Sequence, residues 1–246
     1  MDILHSSLKY IKTHLYYLLT KKNLIFLIIL NVLCLSYCIY ISSIFDGIHA
    51  LDANRTFYLS NFNTNYFFFI KIVYICFIIF INISYFGREY SKYSELFIKN
   101  KRTKIQFYIT KYISIFLFIF LELFILFFIY FSIITLLPYG KFYISTIGSF
   151  IRLYLLGSFY LLLSSILLLI FKTYLASIIS LVFYWFSFVY SSYNDVLTES
   201  TKILLLFFPF GEGVEISFIY GTLHILLYNL ILILLNVLII TLRGEA

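Results

Sequence analysis

Residues 113–137 read ISIFLFIFLELFILFFIYFSIITLL, and this stretch decides the fold class. A helix needs about 20 apolar residues to cross the hydrocarbon core of a bilayer, and this run exceeds that length. None of the apolar runs alternates as β-barrel strands do, and lipid offers no partner for free backbone groups. The sequence therefore predicts an all-α membrane protein with six transmembrane helices, at 24–45, 66–86, 113–137, 153–171, 173–190 and 223–242.

The composition supports the same class. The 246 residues are 63% hydrophobic and 12% charged, whereas a soluble domain carries about 25% charge. The first apolar run starts at residue 24 and lacks a small-residue cleavage site, so we expect it to remain as the first span. Residues 1–246 are predicted to form a single transmembrane domain.

No bound metal or cofactor is expected. Cys34, Cys38 and Cys76 lie in apolar runs without further converging ligands, as buried apolar cysteines do. The chain also lacks the G-x-x-x-x-G-K-[ST] loop that cradles nucleotide phosphates. Any ATP chemistry would therefore belong to another chain.

The distribution of basic residues predicts the orientation. With both termini inside, 13 Lys and Arg residues fall on the cytoplasmic side and 5 fall outside. This bias follows the positive-inside rule for multi-pass membrane proteins. It also accounts for the net charge of +7 without nucleic-acid binding.

Two segments beside the spans carry their own patterns. Residues 2–22 place leucine or isoleucine at 4, 8, 11, 15 and 18, which predicts an amphipathic helix in the cytoplasmic interface. A simple cytosolic tail is the alternative. Residues 191–222 begin polar, become apolar at 203–208 and break at Pro209, which favours a re-entrant external segment over a plain loop.

A charged segment, defined here as residues 87–111, separates the second and third predicted spans. Nine of its 25 residues are charged. Within it, residues 91–99 can form a short helix with Tyr93, Leu96 and Phe97 on one side. A protein partner could bury that side inside a basic rim. Binding of lipid headgroups by the basic residues is the alternative.

The charged segment resembles the coupling region of the ABC-2 type permease family. That family begins this segment with a pattern close to E-x-x-x-G-T, matched by residues 89–94 with Tyr93 and Ser94 in place of Gly and Thr. The family's later S-R-x-x-x-x-x-x-K pattern is matched by residues 103–111, which begin with Thr and Lys. The family's Leu-Pro-Phe-like break in the last external loop is similar to residues 208–210.

The resemblance implies an exporter subunit in a bacterial cell membrane. Such permeases pair with an identical or related permease and dock onto ABC ATPase subunits, which bind ATP and Mg. Small members move amphipathic or lipid-like cargo, such as peptide toxins or bacteriocins, or give immunity to them. The resemblance assigns ATPase coupling to Glu89, Tyr90, Tyr93, Ser94, Leu96, Phe97, Lys104 and Lys111, and an external gate to Phe208, Pro209 and Phe210.

Glu122 is the one acidic residue inside a predicted span. It lies about 14 Å into the third span at the helical rise. A carboxylate at that depth costs several kcal/mol unless it is paired, protonated or hydrated. Glu122 is therefore either part of the substrate path or a protonated structural residue. Asn82, Asn229 and Asn236 are expected to make interhelical hydrogen bonds.

Two other classes compete with the exporter. A rhomboid-like intramembrane serine protease would pair Ser158 with His224, although Phe159 breaks its G-x-S-G motif. A membrane substrate-binding subunit of a vitamin importer would also have about six spans and a separate ATPase. It would not need a coupling helix in residues 87–111.

Overall fold

The computed structural model describes residues 2–46, 55–86, 101–136, 144–171, 175–192 and 218–242. These ranges contain helices and no strands, which confirms the all-α prediction for them. Their helices are α1 Asp2–Leu18, α2 Lys21–Asp46, α3 Arg55–Phe86, α4 Lys101–Leu136, α5 Ile144–Phe171, α6 Leu175–Ser192 and α7 Phe218–Leu242.

Five of these helices are long and apolar enough to cross a membrane. The spanning stretches are Lys21–Ser43, Phe62–Phe86, Ile105–Leu136, Thr146–Phe171 and Thr222–Leu242. The predicted fifth span corresponds to α6, whose described apolar stretch Ile178–Ser187 is shorter. Because five of its helices can cross a membrane, the chain is a multi-pass membrane protein.

Several helices extend beyond the apolar runs that predicted them. α3 begins at Arg55 and α4 at Lys101, about three turns before their predicted spans. Hydropathy marks only the part of a helix in hydrocarbon, whereas backbone hydrogen bonding continues through polar residues at the interface. The Ile105–Leu136 stretch has 32 residues, or about 48 Å, which exceeds a hydrocarbon core of about 30 Å.

α3 and α5 form the centre of the helix bundle. α5 is the most enclosed span, with 67% of its most apolar stretch buried, against 22% for both α2 and α7. It packs on α3, α6 and α7. α2 and α7 present apolar residues such as Ile28, Leu227 and Leu234 outward. That surface suits contact with lipid.

α3 and α4 run antiparallel, joined by tyrosine hydroxyls. Tyr74 donates to the Ile119 carbonyl oxygen at 2.9 Å, and Tyr66 donates to the Leu126 carbonyl oxygen at 2.9 Å. Tyr130 donates to Asn63 Oδ1 at 2.6 Å. Along the pair, residue numbers rise on α3 as they fall by nearly the same amount on α4, as in an antiparallel pair. The last turn of α3 and the first turns of α4 therefore lie at the same end of the molecule.

The three asparagine predictions are confirmed. Asn229 Nδ2 donates to the Leu155 carbonyl oxygen at 2.9 Å, and Asn236 Nδ2 to the Leu162 carbonyl oxygen at 3.3 Å. Both bonds join residues 74 apart, so α5 and α7 run parallel. Asn82 Nδ2 on α3 donates to the Leu161 carbonyl oxygen at 3.3 Å and to Ser164 Oγ on α5.

Candidate functional site: two buried ionisable residues on α4

Lys111 and Glu122 lie on one face of α4. They are 11 residues apart, which is close to three full turns and about 16 Å along the axis. Both side chains are buried, with exposed fractions of 2% for Lys111 and 1% for Glu122. α4 therefore turns its two described buried ionisable groups toward the interior, at two depths.

Aromatic rings surround the Lys111 ammonium. Its Nζ lies 4.1 Å from the ring centre of Phe86, 4.9 Å from that of Tyr85 and 6.0 Å from that of Tyr108. The negative face of an aromatic ring attracts a cation by about 0.5–2 kcal/mol, more where water is excluded. The end of α3 thus supplies two of the rings that hold the first turns of α4.

His14 of α1 lies beside these rings. Its ring centre is 4.7 Å from that of Phe107 and 6.1 Å from that of Tyr85. Burial lowers the pKa of His14 from its ordinary value of 6.5 to about 4, and the neighbouring Lys111 lowers it further, against a backbone hydrogen bond at Phe107. The imidazole is therefore neutral at neutral pH.

α1 packs along the first turns of α4. Gln106 Nε2 donates to Ser7 Oγ at 2.8 Å, and Ser114 Oγ donates to the Ile11 carbonyl oxygen at 3.5 Å. Leu8 of the predicted apolar stripe is 57% exposed, while His14 is 1% exposed. The face of α1 that meets α4 is therefore rotated from the leucine stripe toward residues 7, 11, 14 and 18.

Glu122 has one hydrogen-bond partner among the described residues, and that partner is on α2. Asn31 Nδ2 donates to Glu122 Oε1 at 3.0 Å and also to the Leu27 carbonyl oxygen of its own helix at 2.9 Å. Glu122 Oε2 and Asn31 Oδ1 are both buried without a partner in the described chain. Cys34 of α2 and Tyr74 of α3 lie within electrostatic range of the carboxyl.

The structure does not bring Ser158 and His224 together. Ser158 Oγ donates to the Tyr154 carbonyl oxygen of its own helix at 2.8 Å. The hydrogen bonds between α5 and α7 join residues 74 apart, so Ser158 lies level with Leu232. His224 is eight residues from Leu232, which is about 12 Å along the helix axis. A nucleophile and its base must be within hydrogen-bond reach, so this pair lacks the protease geometry.

Most of the other predicted site residues lie outside the described residues. Lys104 lies in the first turn of α4, and only its backbone is described. The remaining coupling and gate residues lie outside the described residues: Glu89, Tyr90, Tyr93, Ser94, Leu96, Phe97, Phe208, Pro209 and Phe210. Within the described ranges, no three His, Cys, Asp or Glu side chains converge as a metal site requires.

Sequence reasoning missed Asn31 and His14. Asn31 lies 91 residues from Glu122 in the chain, and no local pattern links them. His14 has a local signal, since residues 7, 11, 14 and 18 share a helical face. The stripe at 4, 8, 11, 15 and 18 is the more regular apolar pattern, and it does not include His14.

Comparison with known proteins adds no assignment. The sequence matches no model of a known protein family, and no curated protein is similar to it.

Proposed function

We propose that this chain is the permease subunit of an ATP-driven ABC-2 type exporter. It works as a dimer with an identical or related permease, in a bacterial cell membrane, with six transmembrane helices and both termini cytoplasmic. ATP and Mg are bound by a separate ABC ATPase subunit, and this chain carries no enzymatic site of its own. The cargo is amphipathic or lipid-like, with a peptide toxin or bacteriocin as the leading class.

The observation that carries the proposal is the continuity of α4. The described end of the charged segment, residues 101–111, forms the first turns of a helix that runs without interruption to Leu136. A displacement at its start is transmitted along a rigid helix to the interior of the bundle, where Glu122 lies. This is the mechanical connection that a coupling region needs.

The packing around Lys111 supports the same role. Rings from α3 and α4 surround the ammonium, and α1 packs on the same turns of α4. Three helices are thus tied together next to the charged segment. A partner that moves this segment would move the three helix ends as one body.

Co-purification tests the proposal. The chain is co-expressed with the ABC ATPase encoded in the same genome and purified in mild detergent. We expect a one-to-one complex that is lost in Leu96→Asp, because an aspartate in the apolar side of the docking helix prevents its burial. Leu51→Asp is the matched control, since residue 51 lies between the first and second predicted spans, on the side that the predicted orientation places outside the cell.

The possible outcomes separate the classes. Retention of the ATPase by Leu96→Asp, or its absence from the wild-type preparation, contradicts the exporter. A complex that contains a third membrane chain and tolerates Leu96→Asp indicates the importer subunit instead. For cargo, cells that express the complex should survive an amphipathic bacteriocin better than cells whose ATPase cannot hydrolyse ATP.

A further inference from the structure

The contact between Asn31 and Glu122 contains more acceptors than donors. Both amide hydrogens of Asn31 are used, one on the Leu27 carbonyl oxygen and one on Glu122 Oε1. Asn31 Oδ1 and Glu122 Oε2 remain as two buried acceptors with no donor in the described chain. An ionised carboxylate can only accept hydrogen bonds, so it cannot correct this imbalance.

One proton corrects the imbalance. A protonated carboxyl group has an O–H donor, and Asn31 Oδ1 is the free acceptor on the side chain that already binds Glu122. Exchanging the two amide atoms of Asn31 does not help, because Oδ1 would then face the Leu27 carbonyl oxygen. The pair is complete only as a carboxylic acid and an amide.

The neighbours of Glu122 favour the same state. Among the described residues, Cys34 and Tyr74 are the titratable groups within electrostatic range of it, and neither carries a positive charge. The Tyr74 hydroxyl donates to the Ile119 carbonyl oxygen instead, and Tyr154 of α5 donates to the Phe116 carbonyl oxygen at 3.4 Å. Lys111 lies about 16 Å away along α4, too far to form an ion pair.

We propose that Glu122 and Asn31 form a proton-binding site that joins α2 to α4 inside the membrane. Glu122 Oε2–H donates to Asn31 Oδ1 while Asn31 Nδ2 donates to Glu122 Oε1. Loss of the proton leaves Oδ1 without a donor among the described residues and leaves a charge on a side chain that is buried. The contact between α2 and α4 therefore has two hydrogen bonds when the proton is bound and one when it is released, and the buried charge then adds a cost of its own.

Infrared spectroscopy of the isolated chain in lipid nanodiscs tests the proposal. We expect a protonated carboxyl C=O band at neutral pH that disappears in Glu122→Gln. Gln is the matched variant because its amide can both accept from Asn31 Nδ2 and donate to Asn31 Oδ1, so the fold is kept. A carboxylate band from Glu122 at neutral pH, with no protonated band, overturns the proposal.

Asn31→Leu tests the partner. Removal of the Asn31 amide takes a hydrogen bond from the carboxyl C=O, so the band should remain and move to higher frequency. A band that does not move shows that Asn31 is not the partner and overturns the pair. Both measurements use the chain without an ATPase, so their failure leaves the exporter proposal standing, and loss of the ATPase complex leaves this one standing.

Chemical modification provides an independent check. Dicyclohexylcarbodiimide, an apolar reagent, adds to protonated carboxyl groups, whereas a water-soluble carbodiimide reaches hydrated ones. We expect a Glu122 adduct with the apolar reagent that mass spectrometry detects and that Glu122→Gln lacks. Equal modification of Glu122 by the water-soluble reagent would show a carboxyl group open to water and contradict the buried site that the proposal requires.

Discussion

The two buried ionisable residues of α4 are held in opposite ways. Lys111 lies within reach of three aromatic rings, whose negative faces stabilise a positive charge. Glu122, three turns away, has a single amide beside it and no positive group within pairing distance among the described residues. The first site can hold a charge, whereas the second is completed by a proton. One helix therefore carries a lysine enclosed by aromatic rings near the charged segment and a proton-dependent contact deeper in the bundle.

The two sites also connect α4 to different helices. The rings around Lys111 come from α3 and α4, and α1 adds His14 at the same level. Glu122 instead faces α2, one of the least enclosed spans. α4 thus meets α3 and α1 at its charged end, and at the depth of Glu122 it meets α2 through a single side-chain hydrogen bond.

Charge reversal at Lys111 should have the largest effect. Lys111→Glu places a carboxylate against ring faces that repel it, and leaving a buried charge uncompensated costs about 4 kcal/mol. We expect loss of the folded chain from detergent extracts, measured by size-exclusion chromatography. Lys111→Arg keeps a cation above the rings and should be recovered as well as wild type. Normal recovery of Lys111→Glu would show that the rings do not hold the charge.

Acidification should weaken the contact of α1 with α4. The pKa of His14 is lowered to about 4 in the folded chain, so the folded chain favours the neutral imidazole. The stability that this gives is fully present above the ordinary pKa of 6.5. It is lost as the pH falls from there toward 4, by on the order of 2 kcal/mol. Thermal unfolding in detergent measures this, and the pH dependence in that window should be smaller in His14→Phe. Identical pH profiles for the two proteins would remove His14 from the contact.

Gly157→Ala should disturb the Glu122 site and leave Lys111 unaffected. A Cβ at residue 157 would meet the Ile78 side chain and come within 2.8 Å of Tyr74 Cε1. Tyr74 is buried and bonded to the Ile119 carbonyl oxygen, so its ring cannot move freely. We expect a loss of about 1–3 kcal/mol in unfolding experiments. Ser158→Ala, the next residue on α5, is the control and should change stability much less.

Neutral replacements of Glu122 should have the smallest effects. Glu122→Leu leaves the Asn31 amide without its interhelical partner, which costs about 1 kcal/mol in a membrane protein. Glu122→Gln keeps both hydrogen bonds and should match wild type in stability. Unfolding in mixed detergent micelles measures both. A large loss of stability in Glu122→Gln would indicate that Glu122 is ionised and that its surroundings stabilise a charge, as the rings around Lys111 do.

Prediction from sequence succeeded for the polar residues in the spans, where the chemistry of the side chain and the surrounding hydrocarbon together decide what the residue does. Asn82, Asn229 and Asn236 bond across helices as expected, because an amide in hydrocarbon needs a partner and other helices offer the nearest ones. It was less informative for α1. Two helical faces of α1 contain apolar residues, and packing on α4 selected the face with His14 over the face with Leu8.

The sequence by itself determined that this chain is a helical membrane protein, and it placed Glu122 deep in a span and Lys111 just before that span. Both results follow from local properties, the length of the apolar runs and the helical repeat. Only the tertiary structure decided which groups meet those two side chains. Spanning helices are apolar on every side, so their composition does not indicate which side faces protein, and the pairing of Asn31 with Glu122 depends on how α2 and α4 pack.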